Sequence, residues 1–133
     1  MRVRLPAAVA VTAWATSAVL LSGAPAQAAE SDCGSNQICL FQDYGYGGRM
    51  LNITRIGTCI ENLKGWEFND ITSSVINNSP VTVRLYQDIG HGGKYVRLTP
   101  GEKIANLSSV TIYNNDGSWF GVNTFNDRTS STC

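Results

Sequence analysis

Two short segments rich in side-chain oxygen recur in the sequence. Residues 68–74 read FNDITSS and residues 125–131 read FNDRTSS, so each offers an amide, a carboxylate and several hydroxyls within a few positions. Ca²⁺ takes about six to eight oxygen ligands, and a short polar arc of this kind supplies part of such a set. The alternative is that these side chains only satisfy backbone groups of a tight turn, as they do in many loops.

The sequence supplies little else for catalysis. Its 133 residues include one histidine, His91, and acidic and basic residues are equal at 10 each. No second histidine is present and no Ser-His-Asp arrangement is indicated, so we expect His91 to pack over a glycine-rich turn. The net charge of +0 gives no basic surplus for binding nucleic acid. These features predict a binding protein and not an enzyme.

The first 28 residues have the layout of a secretory signal peptide. Arg2 and Arg4 precede an uncharged stretch at residues 7–21, which leads to small residues ending at Ala28. A membrane anchor is the alternative, but the apolar run is about 15 residues long and a bilayer needs about 20. We expect cleavage after Ala28 to remove residues 1–28. The secreted domain is then residues 29–133, which we expect to be monomeric and not attached to a membrane.

All four cysteines lie in the predicted exported part, at positions 33, 39, 59 and 133. An even number of cysteines in an oxidising compartment predicts two disulfides. Four cysteines allow three pairings, and the residues alone do not choose among them. A structural zinc site is the alternative, although the sequence has no C-x-x-C pair and no histidine cluster to support it.

The elements that must position the oxygen-rich segments are repeated as well. Residues 38–54 read ICLFQDYGYGGRMLNIT and residues 83–99 read VRLYQDIGHGGKYVRLT, and the two align without a gap. Each combines an apolar run, a glycine-rich reversal and an alternating run, which predicts a β-hairpin. We therefore divide the domain into motif one, residues 33–79, and motif two, residues 80–133. The pattern predicts an all-β sandwich of two Greek-key motifs.

Motif two is longer than motif one, by about twelve residues placed before its oxygen-rich segment. Residues 110–113 alternate like a strand, residues 114–117 have the composition of a turn, and Trp119 and Phe120 resume an extended run. The insertion therefore predicts an added or lengthened hairpin.

Aromatic residues near the oxygen-rich segments are predicted to fill the core: Trp66, Phe68 and Phe125. Their side chains bury large apolar surfaces, which suits a core position. Trp119 has two interpretations. Either it faces inward and caps the sandwich, or it stays exposed and contacts a partner.

The paired motifs resemble the βγ-crystallin fold. That fold combines an aromatic-x-x-x-x-aromatic-x-Gly hairpin with a later [N/D]-[N/D]-x-x-[S/T]-S segment. Motif one matches the hairpin through Phe41 and Tyr46, and motif two through Tyr86, but His91 stands where an aromatic residue is usual. Both parts occur twice and in order, so the resemblance covers nearly all of residues 33–133.

The resemblance implies two Ca²⁺ sites, each shared between the two oxygen-rich segments. The ligands it implies are the side chains of Asp70, Ser73, Asp127 and Ser130 and the backbone carbonyls of Ile71 and Arg128. Each segment has only one carboxylate at these positions, so we expect micromolar or weaker affinity.

The resemblance also bears on the cysteines. In two-motif domains of this fold, the third strand of one motif crosses to the sheet of the other. This implies pairing of Cys59 with Cys133 and leaves Cys33 with Cys39. The opening segment at residues 33–43, followed by the glycine-rich turn, Cys59 and the FNDITSS segment, is also similar to small secreted bacterial proteins grouped with metalloproteinase inhibitors.

The resemblance therefore implies a secreted inhibitor whose partner is an extracellular peptidase, in particular a metallopeptidase. Trp119 and Phe120 are the candidate inhibitory residues, because they occur in the insertion unique to motif two. The alternative function is a calcium-binding structural or adhesion module without inhibitory activity. A small antimicrobial toxin is a third interpretation.

Overall fold

The strands of the computed structural model, which describes residues 27–55 and 57–133, form two antiparallel sheets. The first sheet contains β1 (Ile38–Phe41), β2 (Met50–Ile53), β3 (Ser74–Asn77) and β6 (Lys103–Ile104), in the order β2-β1-β3-β6. The second contains β4 (Val83–Asp88), β5 (Gly92–Leu98), β7 (Val110–Tyr113), β8 (Trp119–Asn123) and β9 (Ser131–Thr132), in the order β8-β7-β5-β4-β9. The predicted all-β fold is confirmed.

Helical structure within the described residues is limited to short 3-10 turns at Glu30–Asp32, Tyr44–Tyr46 and Leu63–Trp66. No helix among these residues has the length and apolar character needed to cross a bilayer. The predicted signal peptide at residues 1–28 lies outside the described part of the chain, apart from Gln27 and Ala28.

The two motifs exchange their third strands. β6 belongs to motif two but pairs with β3 of motif one, with Ile104 opposite Val75. In return Ile60 of motif one forms a bridge with Thr132 of motif two, through hydrogen bonds of 2.8 and 3.0 Å. This exchange makes each sheet a product of both motifs, as expected for paired Greek keys.

The main core lies between the sheets. Inward-facing side chains such as Leu40 and Leu85 are fully buried, and Phe68 and Phe125 are each only 1% exposed. The prediction that Trp66 also fills the core is wrong, because its side chain is 56% exposed. Leu63 begins the same 3-10 turn and takes the buried position, which leaves Trp66 on the outside.

The insertion of motif two forms the predicted added hairpin. β7 and β8 pair with each other and extend the second sheet beyond β5, so β8 is an edge strand. The hairpin is anchored by Tyr113, whose ring stacks on that of Tyr95 at a centroid distance of 5.5 Å.

The structure contains two disulfides, and they have the pairing that the resemblance implies. Cys33 is bonded to Cys39 on the outer face of the first sheet, where both residues are buried beside Phe41. Cys59 is bonded to Cys133, and both of these residues are exposed. The second disulfide links the two motifs covalently.

Candidate functional site

The two oxygen-rich segments meet at the junction between the motifs. We define residues 69–74 as the first clamp and residues 126–131 as the second clamp. The backbone N–H of Asp70 donates to the carbonyl of Thr129 at 2.9 Å, and the N–H of Asp127 donates to the carbonyl of Thr72 at 3.0 Å. These reciprocal bonds relate the clamps by an approximate twofold axis.

The side chains cross the junction in the same reciprocal way. Ser73 Oγ donates to Asp127 Oδ1 at 3.3 Å, and Ser130 Oγ donates to Asp70 Oδ1 at 3.0 Å. Both aspartates have left-handed backbones, with φ of 54° for Asp70 and 52° for Asp127. Asp tolerates this conformation better than most residues. Four residues far apart in sequence are thereby brought together.

The last serine of each clamp ties it to the hairpin of its own motif. Ser74 Oγ donates to the carbonyl of Asp43 at 2.6 Å and accepts from the N–H of Tyr46 at 3.0 Å. The second motif repeats both bonds, with lengths of 2.6 and 3.0 Å, between Ser131, Asp88 and His91. The repeated sequence is explained by this repeated geometry.

Two open grooves flank the junction, and together they contain every predicted cation ligand. Groove one, of about 510 Å³, is lined by Ile71, Ser73 and Asp127, together with Gln42, Asp43, Tyr44, Asp70 and Asn126. Groove two, of about 610 Å³, is lined by Arg128, Ser130 and Asp70, together with Lys64, Asn69, Gln87, Asp88, Ile89 and Asp127.

The donor set of the grooves fits a hard divalent cation. Carboxylate, amide and hydroxyl oxygens line both grooves, and such oxygens are the ligands that Ca²⁺ prefers. Within the described residues, the buried Oδ1 atoms of Asn69 and Asn126 have no hydrogen-bond partner. Asn69 is among the residues that line groove two and Asn126 among those that line groove one, so each groove has an unpaired amide oxygen in its lining residues.

The grooves differ in charge. Each is lined by three carboxylates, with Asp43 in groove one replaced by Asp88 in groove two. Lys64 and Arg128 are also among the residues that line groove two, whereas no lysine or arginine is among the described residues that line groove one. Positive charges beside a cation site weaken binding, so groove two is the less favourable of the pair.

The added hairpin presents an apolar surface to solvent. Trp119 is 67% exposed, Val122 is 62% exposed and Phe120 is 44% exposed. The interpretation in which Trp119 faces inward and caps the sandwich is therefore wrong. The Phe120 ring is covered on one side by Lys94, whose Nζ lies 4.2 Å from the ring centroid.

The turn of this hairpin is held by a dense set of hydrogen bonds. Asn114 and Ser118 are joined through their backbones at 2.8 Å and through their side chains at 3.0 Å. Asp116 Oδ1 accepts from the N–H and from the hydroxyl of Ser118, at 2.9 and 2.6 Å. These bonds from Ser118 lower the pKa of Asp116 below its ordinary value. The turn that precedes Trp119 is therefore preorganised.

The chain matches a known protein family by its sequence and a known fold by its structure. The sequence profile of peptidase inhibitor family I36 matches residues 26–98, more than half of the chain. The chain belongs to this family. Members of an inhibitor family act by binding a peptidase, so the I36 protein described here is not an enzyme. The matched residues include the first clamp but neither the second clamp nor the added hairpin.

Solved structures place this I36 protein in the βγ-crystallin fold. A βγ-crystallin from Ciona intestinalis is 34% identical, with a TM-score of 0.54, and the alignment covers 72% of this chain and 95% of that one. A second solved structure, described as "Evolution of the eye lens beta-gamma-crystallin domain fold", has 17% identity and a TM-score of 0.57. The alignment covers 74% of this chain and 84% of that one, and it supports the fold alone. No curated protein sequence matches the chain.

One surface of the I36 protein was not predicted from the sequence. The exposed Trp66 borders an apolar groove of about 360 Å³, which is also lined by Leu51 and Ile60. Unlike the added hairpin, this groove lies within the residues matched by the family profile. The local sequence does not distinguish the exposed Trp66 from the buried Phe68, so only the structure shows which of the two side chains is buried.

Proposed function

We propose that this I36 protein is secreted and inhibits an extracellular zinc endopeptidase. Membership of the inhibitor family supports the general activity. The charged start and the small residues at Ala28 support export. The choice of a metallopeptidase rests on the similarity of residues 33–43, the glycine-rich turn, Cys59 and the first clamp to the metalloproteinase inhibitors.

The proposed inhibitory surface is the added hairpin, and the exposure of Trp119 is the observation that carries it. An inhibitor must offer a large apolar side chain on a segment that loses little entropy when it binds. Trp119 directly follows the hydrogen-bonded turn and is 67% exposed. Its neighbour Phe120 is 44% exposed and is contacted by Lys94, so the hairpin offers two exposed aromatic side chains.

The edge position of β8 also suits this role. Only β7 borders β8 among the described strands, so the outer backbone groups of Trp119–Asn123 face away from the sheet. Peptides commonly bind by pairing their backbone with an exposed strand edge. The hairpin can therefore contact a substrate cleft through both its backbone and its aromatic side chains.

The experiment is an inhibition assay of the purified protein against a thermolysin-type zinc endopeptidase, with a subtilisin-type serine endopeptidase in parallel. We expect inhibition of the zinc enzyme. The Trp119→Ala variant should raise the inhibition constant at least about 30-fold, because a central interface tryptophan typically contributes about 2 kcal/mol or more.

Trp66→Ala provides the matched control, since Trp66 is also an exposed tryptophan, at 56%, but belongs to motif one. It should inhibit as well as the unchanged protein. If Trp66→Ala abolishes inhibition and Trp119→Ala does not, the inhibitory surface is the apolar groove beside Trp66. Lack of inhibition of either peptidase at micromolar protein would contradict the inhibitor proposal itself.

Calcium binding at the two grooves is the second function we propose. The support is the reciprocal arrangement in which each clamp supplies a serine to the other clamp's aspartate. Asp127, Ser73 and the carbonyl of Ile71 would hold Ca²⁺ in groove one. Asp70, Ser130 and the carbonyl of Arg128 would hold it in groove two. A bound ion would neutralise facing carboxylates and strengthen the contact between motifs.

Calorimetric titration with Ca²⁺, combined with thermal melting, tests this proposal. A concentration of 100 times the dissociation constant should stabilise the fold by about 2.7 kcal/mol. Asp127→Asn and Asp70→Asn are matched variants that remove one carboxylate from each side of the junction. A melting temperature unchanged by millimolar Ca²⁺ would contradict calcium binding and leave the inhibitor proposal unaffected.

A further inference from the structure

The two disulfides differ in their access to solvent. Cys33 is 6% exposed and Cys39 is fully buried, whereas Cys59 and Cys133 are both exposed. Thiol–disulfide exchange requires a reductant to reach a sulfur atom, and exposed disulfides are the more easily reduced ones. Cys59–Cys133 is therefore the bond that a reducing agent opens first.

An imidazole lies directly beside this exposed disulfide. The sulfur atoms of Cys59 and Cys133 and a ring nitrogen of His91 all lie within 4.8 Å of one another. The ligand atoms of a tetrahedral zinc site stand roughly 3.3–3.8 Å apart, given zinc–ligand bonds of about 2.0–2.3 Å. Side-chain rotation can bring the three atoms to that spacing once the sulfurs are no longer bonded.

His91 is held in place but has an uncommitted ring nitrogen. The backbone N–H of His91 donates to Ser131 Oγ at 3.0 Å, and its ring packs on Tyr86 at a centroid distance of 5.3 Å. Among the described residues, none forms a hydrogen bond with its buried Nε2. A buried polar atom without a partner is costly, and metal coordination is one way of satisfying an imidazole nitrogen.

We propose that reduction of Cys59–Cys133 opens a zinc site formed by Cys59, Cys133 and His91. A dithiol reductant gives two electrons and two protons to the disulfide and is itself oxidised to a disulfide. Zn²⁺ then displaces both thiol protons and binds two thiolates and one neutral imidazole. Thiolate and imidazole together favour Zn²⁺ over Ca²⁺ or Mg²⁺, and three protein ligands leave the fourth position for water.

Of the two equivalent hairpin positions, only that of motif two can supply a metal ligand. At the position equivalent to His91, motif one has Tyr46, whose ring packs on Phe41 at 5.6 Å and has no nitrogen to coordinate a metal. The exposed cysteines also lie on different motifs, so a shared zinc ion would join the same two chain segments that the disulfide joins. The disulfide of the oxidised protein and the zinc ion of the reduced protein would thus cross-link the chain at the same place.

The test is selective reduction followed by metal titration. The purified protein is reduced with a water-soluble phosphine under native conditions, and the thiols are located by alkylation and mass spectrometry. Reduction should release Cys59 and Cys133 before Cys33 and Cys39. Anaerobic titration with Co²⁺ should then give a thiolate-to-cobalt absorption band with 1:1 stoichiometry, removed by Zn²⁺ and absent in the oxidised protein.

His91→Tyr is the matched variant, because it installs the residue that motif one has at Tyr46. It should weaken zinc binding at least about tenfold, since loss of a ligand costs no less than loss of a supporting contact. Cys33→Ser with Cys39→Ser should leave binding unchanged. Zn²⁺ should raise the melting temperature of the reduced protein, or refold it if reduction unfolds it.

Three results would overturn the proposal. The first is reduction of Cys33–Cys39 ahead of Cys59–Cys133. The second is no cobalt band and no effect of Zn²⁺ on the fold of the reduced protein. The third is equal zinc affinity in the His91→Tyr variant, which would assign any bound metal to the thiols alone.

Discussion

The first and second motifs hold their clamps with the same bonds but surround them with different side chains. Ser74 and Ser131 make equivalent contacts with their hairpins, and Asp70 and Asp127 make equivalent contacts across the junction. The differences are the two positive charges in groove two, His91 in place of Tyr46, and the added hairpin. The hydrogen bonds that hold the clamps are thus alike, and the side chains that differ between the motifs take no part in them.

The disulfides extend the comparison to stability. Cys33–Cys39 spans a sequence separation of 6 within motif one, and Cys59–Cys133 spans 74 and joins both motifs. A cross-link restricts the unfolded chain more when it closes a longer loop. The two bonds should therefore contribute unequally, with the exposed bond the more important of the two.

Replacing Cys59 and Cys133 together with serine should give the largest loss of stability, about 4.5 kcal/mol in the chain-entropy description. The same replacement of Cys33 and Cys39 should cost about 2.4 kcal/mol. Urea unfolding of the two double variants, monitored by circular dichroism, measures both values. A larger loss from Cys33 and Cys39 would show that packing on the outer face of the first sheet outweighs loop length.

The next largest effect is expected at the serines that tie clamp to hairpin. Ser74→Ala leaves the carbonyl of Asp43 and the N–H of Tyr46 without a partner, and should cost about 1–3 kcal/mol. Ser131→Ala should cost a similar amount, as its bonds are equivalent. Ser35→Ala, at an exposed position, serves as the control in the same unfolding experiment. A clear difference between the first two variants would disprove the equivalence of the motifs.

A smaller effect should follow from making groove two resemble groove one. Arg128→Ile gives the second clamp the residue that the first clamp has at Ile71. Removing one positive charge near the site should raise the Ca²⁺ affinity of the weaker site about fivefold, since two charges about 4 Å apart interact by about 1 kcal/mol in water. Calorimetry resolves the two sites, with Arg97→Ile as a charge-matched control. Unchanged affinity would mean that this guanidinium does not act on the groove.

The smallest effect concerns the hairpin turn in acid. Because the pKa of Asp116 is lowered in the folded turn, its ionised form stabilises the turn above the ordinary value of 3.8, and this contribution is lost as the pH falls through the lowered pKa. Trp119 fluorescence in a Trp66→Phe background reports the order of the turn. We expect a change below pH 3.8 that disappears in Asp116→Asn. The same change in both proteins would exclude Asp116 as its cause.

The repeated sequence contained enough information to predict the hairpins, the two-motif division and the insertion, because each depends on short-range turn chemistry. The reciprocal bonds of the junction could be expected only from the family resemblance. Ser73 and Asp127 are 54 positions apart, and nothing near either residue indicates the other. The disulfide pairing depended on the same exchange of third strands.

Burial of individual side chains was harder to predict. Trp66 and Phe68 are two residues apart beside the same clamp, yet one is 56% exposed and the other 1%. Their difference depends on Leu63 entering the core at the start of the 3-10 turn. The position of Lys64 in groove two has the same origin, since this residue follows Leu63. Such outcomes are set by competition for space in the assembled sandwich.

Thr132 of motif two is the partner of Ile60 of motif one, and this pairing lies at one edge of the second sheet. A nascent chain therefore cannot close its sandwich until both motifs have been synthesised. Until then Cys59 lacks its disulfide partner Cys133, and the first sheet lacks β6, which motif two contributes. The two halves of the chain are therefore expected to fold together and not one after the other.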